Sequence, residues 1–202
     1  MSADGGDIIF QRDISHLFYE NKNKFRACYD ELNEVLNKIP IKKFFKKKYV
    51  KDIKNKLKKR KMINAGLFLG PCNKFKAICK EIIEMIKDKN FYGPDQIALD
   101  YLFDKEGFVK LKNKYNFVIT TSKRKFYISE GKFYFENDEL IPVVHNAGGI
   151  KALRSIKNFG YGPDHNKLKK KTYLLIRKTH KVLNDVKVLT NDSEELIQKL
   201  FS

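Results

Sequence analysis

Tryptophan is absent from this 202-residue chain, cysteine occurs three times, proline five times and arginine only six. Three cysteines (Cys28, Cys72 and Cys79) are an odd and sparse set, which excludes a disulfide framework and points to a reduced, intracellular protein. Five prolines beside 11 glycines exclude collagen-like or linker-like sequence. The longest apolar runs, Ala65–Leu69 and Ile141–Val144, are far too short to span a bilayer, and no signal-peptide pattern opens the chain. The expected location is therefore cytoplasmic. The scarcity of arginine weakens the first inference from a basic composition, since readers of bases and phosphates lean on the planar guanidinium fork. Nucleic acid is accordingly not an expected partner.

What is present is a core-forming composition with an excess of lysine. The chain is 42% hydrophobic and has 16 Phe and 10 Tyr, enough to exclude global disorder. Its formal net charge is +18. Lys, Asn, Ile, Phe and Tyr together make up 97 of the 202 residues, and all five have A/T-rich codons, so genome bias alone supplies part of the lysine. One stretch exceeds that background: residues 42–61 hold 12 basic residues and one acid, giving +11. Phe44, Phe45, Tyr49, Val50, Ile53 and Leu57 recur there at near-helical spacing. A basic amphipathic helix is expected, either as a solvated helix with one buried stripe or as a surface for anionic lipid at the inner face of a membrane.

The rest of the chain alternates short apolar segments with helical periodicity. Residues 7–10 predict a strand, and 15–36 a helix on the recurrence of Leu17, Phe18, Phe25, Cys28, Tyr29, Leu32, Val35 and Leu36. Residues 64–70 predict a strand, Pro71 opens a helix to about residue 87, and Gly93-Pro94-Asp95 opens another over 96–103. Strands are expected at 117–121, 124–128, 132–135 and 141–145, with the second and third joined as a hairpin through 129–131. A loop over 160–165 and helices over 166–183 and 193–201 close the chain. The fold class is α/β, a mixed sheet with flanking helices in a single domain. Its motif-bearing core covers 4–151, its basic helical insertion about 41–61, and its C-terminal helical segment about 164–202.

Four short patterns carry chemistry. Asp4-Gly5-Gly6-Asp7 places two carboxylates on a glycine turn before a strand, either as a solvated turn or as a pair converging on a hard divalent cation. His145, in Pro142-Val143-Val144-His145-Asn146-Ala147-Gly148-Gly149, ends an apolar strand, where an imidazole is either a core residue or a metal ligand. Asp95-Gln96 opens a helix, where an Asp either caps it or accepts a proton. Asn64-Ala65-Gly66 through Gly70 lets backbone approach a ligand, or simply ends a strand.

In this order, the four patterns resemble the nucleotide-sugar glycosyltransferases of GT-A fold: the families with an acidic "DxxDxxFQ" motif and, in the late histidine, glycogenin-like enzymes. DGGDIIFQ is similar to that motif, NAGLFLG to the "N-x-G" strand, GPDQ to the Asp-Gln helix start, and PVVHNAG to the late histidine strand end. The resemblance implies a metal-dependent transfer of a sugar from a nucleotide-sugar donor to a glycan, lipid-linked or protein acceptor. It implies manganese or magnesium on Asp4, Asp7 and His145, and Asp95 as a candidate catalytic base. Asn64, Gly66, Gln96, Asn146, Gly148 and Lys151 would line the substrate side. The family's Gly-x-x-Lys-Pro-Trp is only partly matched: Lys151 follows Gly148 by three residues, but Ala152 stands where Pro would be. The resemblance also places a nucleotide-binding half before the acidic motif, where this sequence has Met1-Ser2-Ala3. The expectation is that this half comes from a longer protein or another chain. The alternatives are a non-enzymatic basic module for anionic lipid or nucleic acid, and an inactive remnant.

Overall fold

The computed structural model describes residues 1–30, 41–57, 62–87, 93–119, 121–122 and 124–147. The expected loop over 160–165, the expected helices over 166–183 and 193–201, and Gly148 and Lys151 lie outside these residues. The described chain is mixed α/β. In order, it runs β1 (Ser2–Ala3), β2 (Ile8–Phe10), α1 (His16–Tyr19), β3 (Phe25–Tyr29), α2 (Ile41–Phe44), α3 (Lys47–Leu57) and β4 (Ile63–Leu69). There follow α4 (Cys72–Met85), α5 (Pro94–Glu106), β5 (Phe108–Lys110), a 3₁₀ turn (Asn113–Asn116), β6 (Phe117–Val118), β7 (Phe126–Ser129), β8 (Lys132–Phe135) and β9 (Val143–His145).

Two mixed sheets and a hairpin result. The larger sheet has the order β1-β4-β3-β5, antiparallel except for the parallel β3/β5 pair. The second has the order β2-β9-β6, with β2 antiparallel and β6 parallel to the central β9. The β7–β8 hairpin turns at Glu130 and Gly131, both at positive φ, as a two-residue primed turn requires.

Helices α2 to α5 cover one face of the larger sheet. Phe25, Ala27, Ile63 and Phe68 meet Ile41, Phe45, Ile53, Met85, Ile97 and Phe103 there. The opposite face carries Cys28, Leu67 and Leu69 against Ile14, Leu17 and Val143. A third cluster joins the second sheet to the hairpin through Phe117, Phe133, Phe135, Ile141 and Val144. Each fully buried side chain of this kind contributes about 1.5–3 kcal/mol. Helix α5 is buried all round from Ile97 to Phe103, and its Asp100 is held by the amide of Ile63, 3.0 Å from Oδ1.

The expected helix over 15–36 is corrected over 15–30, and its remainder, 31–36, lies outside the described residues. A single turn at α1 is followed by Asn21 at φ 50 and then by strand β3. Both faces of β3 are covered, so it shows no alternation, and its apolar density imitates a helical period. Buried Arg26 holds the reversal, donating from its guanidinium to the carbonyls of Leu17 and Glu20. The basic stretch is helical but broken: Phe45 bridges to Ile86 between α2 and α3. The strands at β6 and β9 are shorter than expected, and β1 and β5 were not anticipated.

Candidate metal centre

The second sheet brings the acidic turn to the late histidine. Ile8 pairs with His145, and the amide of Asn146 donates to the Asp7 carbonyl at 2.8 Å. Gly6, at φ +86, turns the chain so that Asp4 also reaches the site, and the amide of Asp4 donates to the Gly66 carbonyl at 2.8 Å. One ligand atom from each of Asp4, Asp7 and His145 lies within 4.8 Å of the others. His145 Nε2 stands 3.7 Å from Asp4 Oδ2 and 3.7 Å from Asp7 Oδ2.

Burial grades the site from inside to outside. His145 and Asp7 are buried and Asp4 is exposed, so the cluster opens to solvent on the Asp4 side. Asp7 Oδ1 is buried with no hydrogen-bond partner among the described residues, a costly state for a carboxylate oxygen. Partial burial raises the Asp4 carboxyl above its ordinary range. His145 opposes that shift, while the charges of Asp7 and Asp95 add to it. Asp95 is thus an electrostatic neighbour of the cluster. A divalent cation would offset this accumulated negative charge.

Gly66 is the floor of the site. A Cβ there would lie 2.7 Å from His145 Nδ1, 2.9 Å from Asn64 Oδ1 and closer still to His145 Cε1. Only glycine leaves room for the Cε1–Nδ1 edge of the imidazole against β4. Behind the ring, His145 Nδ1 is 3.0 Å from Asn116 Oδ1, and Asn116 Nδ2 donates to Asn64 Oδ1 at 2.9 Å. The Gly66 amide donates to the same Asn64 oxygen at 2.9 Å.

The expected site residues therefore fall into groups. Asp4, Asp7, His145, Gly66 and Asn64 converge, and Asp95 lies close enough to act on Asp4. Asp95 is exposed in the first turn of α5; the N-cap is Gly93, and no side-chain cap bond forms. Gln96 donates from Nε2 to the Ile63 carbonyl at 2.7 Å, tying α5 to β4. Asn146 is buried beside Asp7, with its backbone amide on the Asp7 carbonyl. Gln11 binds the hairpin rather than the centre, with Nε2 on the carbonyls of Phe133 and Ile141 and Oε1 on the Phe133 amide. Asn116 was missed; its only sequence signal is an Asn immediately before an apolar strand. A cavity of about 260 Å³ between Lys114, Phe117, Arg124 and Phe135 is lined by none of these site residues.

Comparison with protein-family models, with curated proteins and with solved structures finds no match.

Proposed function

We propose that this chain is a metal-dependent glycosyltransferase, or the metal and acceptor half of one, with a core of GT-A type. The observation that carries the reading is the convergence of Asp4, Asp7 and His145 into one cluster, with a buried Asp7 oxygen that has no hydrogen-bond partner among the described residues. Two carboxylates and one imidazole suit manganese well, and magnesium less well because of the nitrogen. The order of the four motifs supports a nucleotide-sugar donor over other uses of such a cation.

When bound, the cation supplies Lewis-acid stabilisation of the charge on a departing nucleoside diphosphate. The chain's own residues set up that step. Asp7 offers a fixed, buried carboxylate, and Asp4 an exposed one at the mouth. His145 packs its Cε1–Nδ1 edge against Gly66, with Nε2 3.7 Å from a carboxylate oxygen of each. Asp95, exposed at the start of α5, would take a proton from an acceptor hydroxyl.

Thermal unfolding with manganese and a panel of nucleotides and nucleotide sugars tests the proposal. A ligand at 100 times its dissociation constant adds about 2.7 kcal/mol of stability. The expected shift requires manganese, a nucleotide and Asp7 together, and is absent in Asp7→Ala. A cooperative transition that none of these ligands moves overturns the reading.

The basic helices favour a second role for the same protein. Ile41, Phe45 and Ile53 are buried in the protein's own core, so these side chains are not offered to a bilayer. The outer face carries exposed Lys42, Lys43, Lys46, Lys47, Lys48, Lys51, Lys54 and Lys56. Among the described residues, no helix is long and apolar enough to cross a membrane. Such a face fits purely electrostatic contact with an anionic lipid surface carrying the acceptor. Sedimentation with anionic vesicles that disappears at high salt is the expected result, and no sedimentation at low salt refutes it.

A further inference from the structure

The geometry points to Asn116 as a positioning residue that fixes the ring proton of His145 on Nδ1, leaving Nε2 as the ligand atom. The inference rests on the metal reading above for its purpose, but not for its mechanism. The chain of logic starts from a group whose role is beyond choice. The backbone amide of Gly66 can only donate, so the Asn64 side-chain atom 2.9 Å from it is the oxygen. The Asn64 nitrogen then faces Asp30 Oδ2 at 3.4 Å, as a donor should. Because the Asn64 oxygen also meets Asn116 at 2.9 Å, Asn116 presents its nitrogen there. Its oxygen is therefore the atom 3.0 Å from His145 Nδ1, and an oxygen at that distance requires Nδ1–H.

The device is needed because the opposite side of the ring pulls the other way. Two carboxylates stand 3.7 Å from Nε2. By themselves they would draw the proton of a neutral imidazole to Nε2 and block the lone pair that a cation requires. Asn64, Asn116 and His145 are all buried, so water does not substitute for a lost partner in the relay. The hydrogen-bond direction thus runs from a fixed backbone amide on β4, through two amides, to the ring.

Long-range proton–nitrogen correlation spectra of the metal-free protein, at a pH where His145 is neutral, read the tautomer directly. Manganese titration calorimetry on the same samples reads the consequence. The wild type is expected to carry Nδ1–H. Asn116→Ala moves the proton to Nε2 and weakens manganese binding by roughly 10–100-fold. Asn64→Ala leaves the Asn116 amide unfixed and gives a mixture, providing a second reading should Asn116→Ala fail to fold. A wild-type ring protonated at Nε2, or a tautomer unchanged in Asn116→Ala, overturns the inference. A tautomer that responds as expected in a protein that binds no manganese upholds the relay and refutes the metal reading instead.

Discussion

Replacing Gly66 by Ala tests the architecture of the centre at its tightest point. The added Cβ would sit 2.7 Å from His145 Nδ1 and 2.9 Å from Asn64 Oδ1. Ordinary contacts of this kind are about 3.5 Å, so the ring must retreat by roughly 0.8 Å at Nδ1 and by more at Cε1. It has little room, since His145 is buried and paired through β9 to both β2 and β6. Overpacking at such a site costs about 1–3 kcal/mol. For a chain of this size that is a fall of about 2–12 °C in the unfolding midpoint. Displacing a ligand by close to an ångström, and breaking its bond to Asn116, should weaken manganese binding at least tenfold by calorimetry. Gly5→Ala is the control from the same constellation, because a Cβ at Gly5 meets nothing within 4 Å and its φ is not positive. The reasoning is refuted if Gly66→Ala matches Gly5→Ala in both midpoint and affinity.

Gln11→Ala removes three hydrogen bonds to the backbone of Phe133 and Ile141. It should lower stability by roughly 1–3 kcal/mol in denaturant titration with manganese affinity intact, and a selective loss of affinity would contradict that assignment. Glu139 is held below the usual carboxylate range by its hydrogen bond from Lys114 at 2.7 Å, with Arg124 3.6 Å away. A depressed folded-state value means that this stabilisation is present above the unfolded value near 4.5 and is lost as pH falls through the folded one. Glu139→Gln should therefore be slightly less stable at pH 7, by under about 1 kcal/mol for so accessible a pair, and the gap should close as the pH is brought down through the folded-state value. An equal gap above and below that value would rule out the ion pair as its cause.

The site was more legible in the sequence than the strand order was. Asp4, Asp7 and His145 stand out because glycine turns and strand ends mark where side chains converge, whatever the sheet between them does. Strand β4 and helices α4 and α5 were legible for the same reason, since Gly70, Pro71 and the Gly93-Pro94 pair punctuate them. Strand β3 was not, because burial on both faces erases the alternation that identifies a strand. Strands β1 and β5 are too short to carry a period at all. Asn116 escaped because its significance lies in three partners far away in sequence, visible only once β6 runs beside β9.

The pairing of Ile8 with His145 also has a temporal meaning. The acidic turn is made first, and its histidine only after more than a hundred further residues. At about 5–20 residues per second, the carboxylates wait roughly 7–30 s for the strand that completes their site. Contacts so distant along the chain close late in folding as well. On the metal reading proposed above, loading would await a finished second sheet. The same topology would bear on release of such a cation, because β2 is an outer strand of that sheet among the described residues. Fraying at this margin would open the centre while the helix-covered core stays closed, so the lifetime of a bound cation would report on one edge strand rather than on global unfolding.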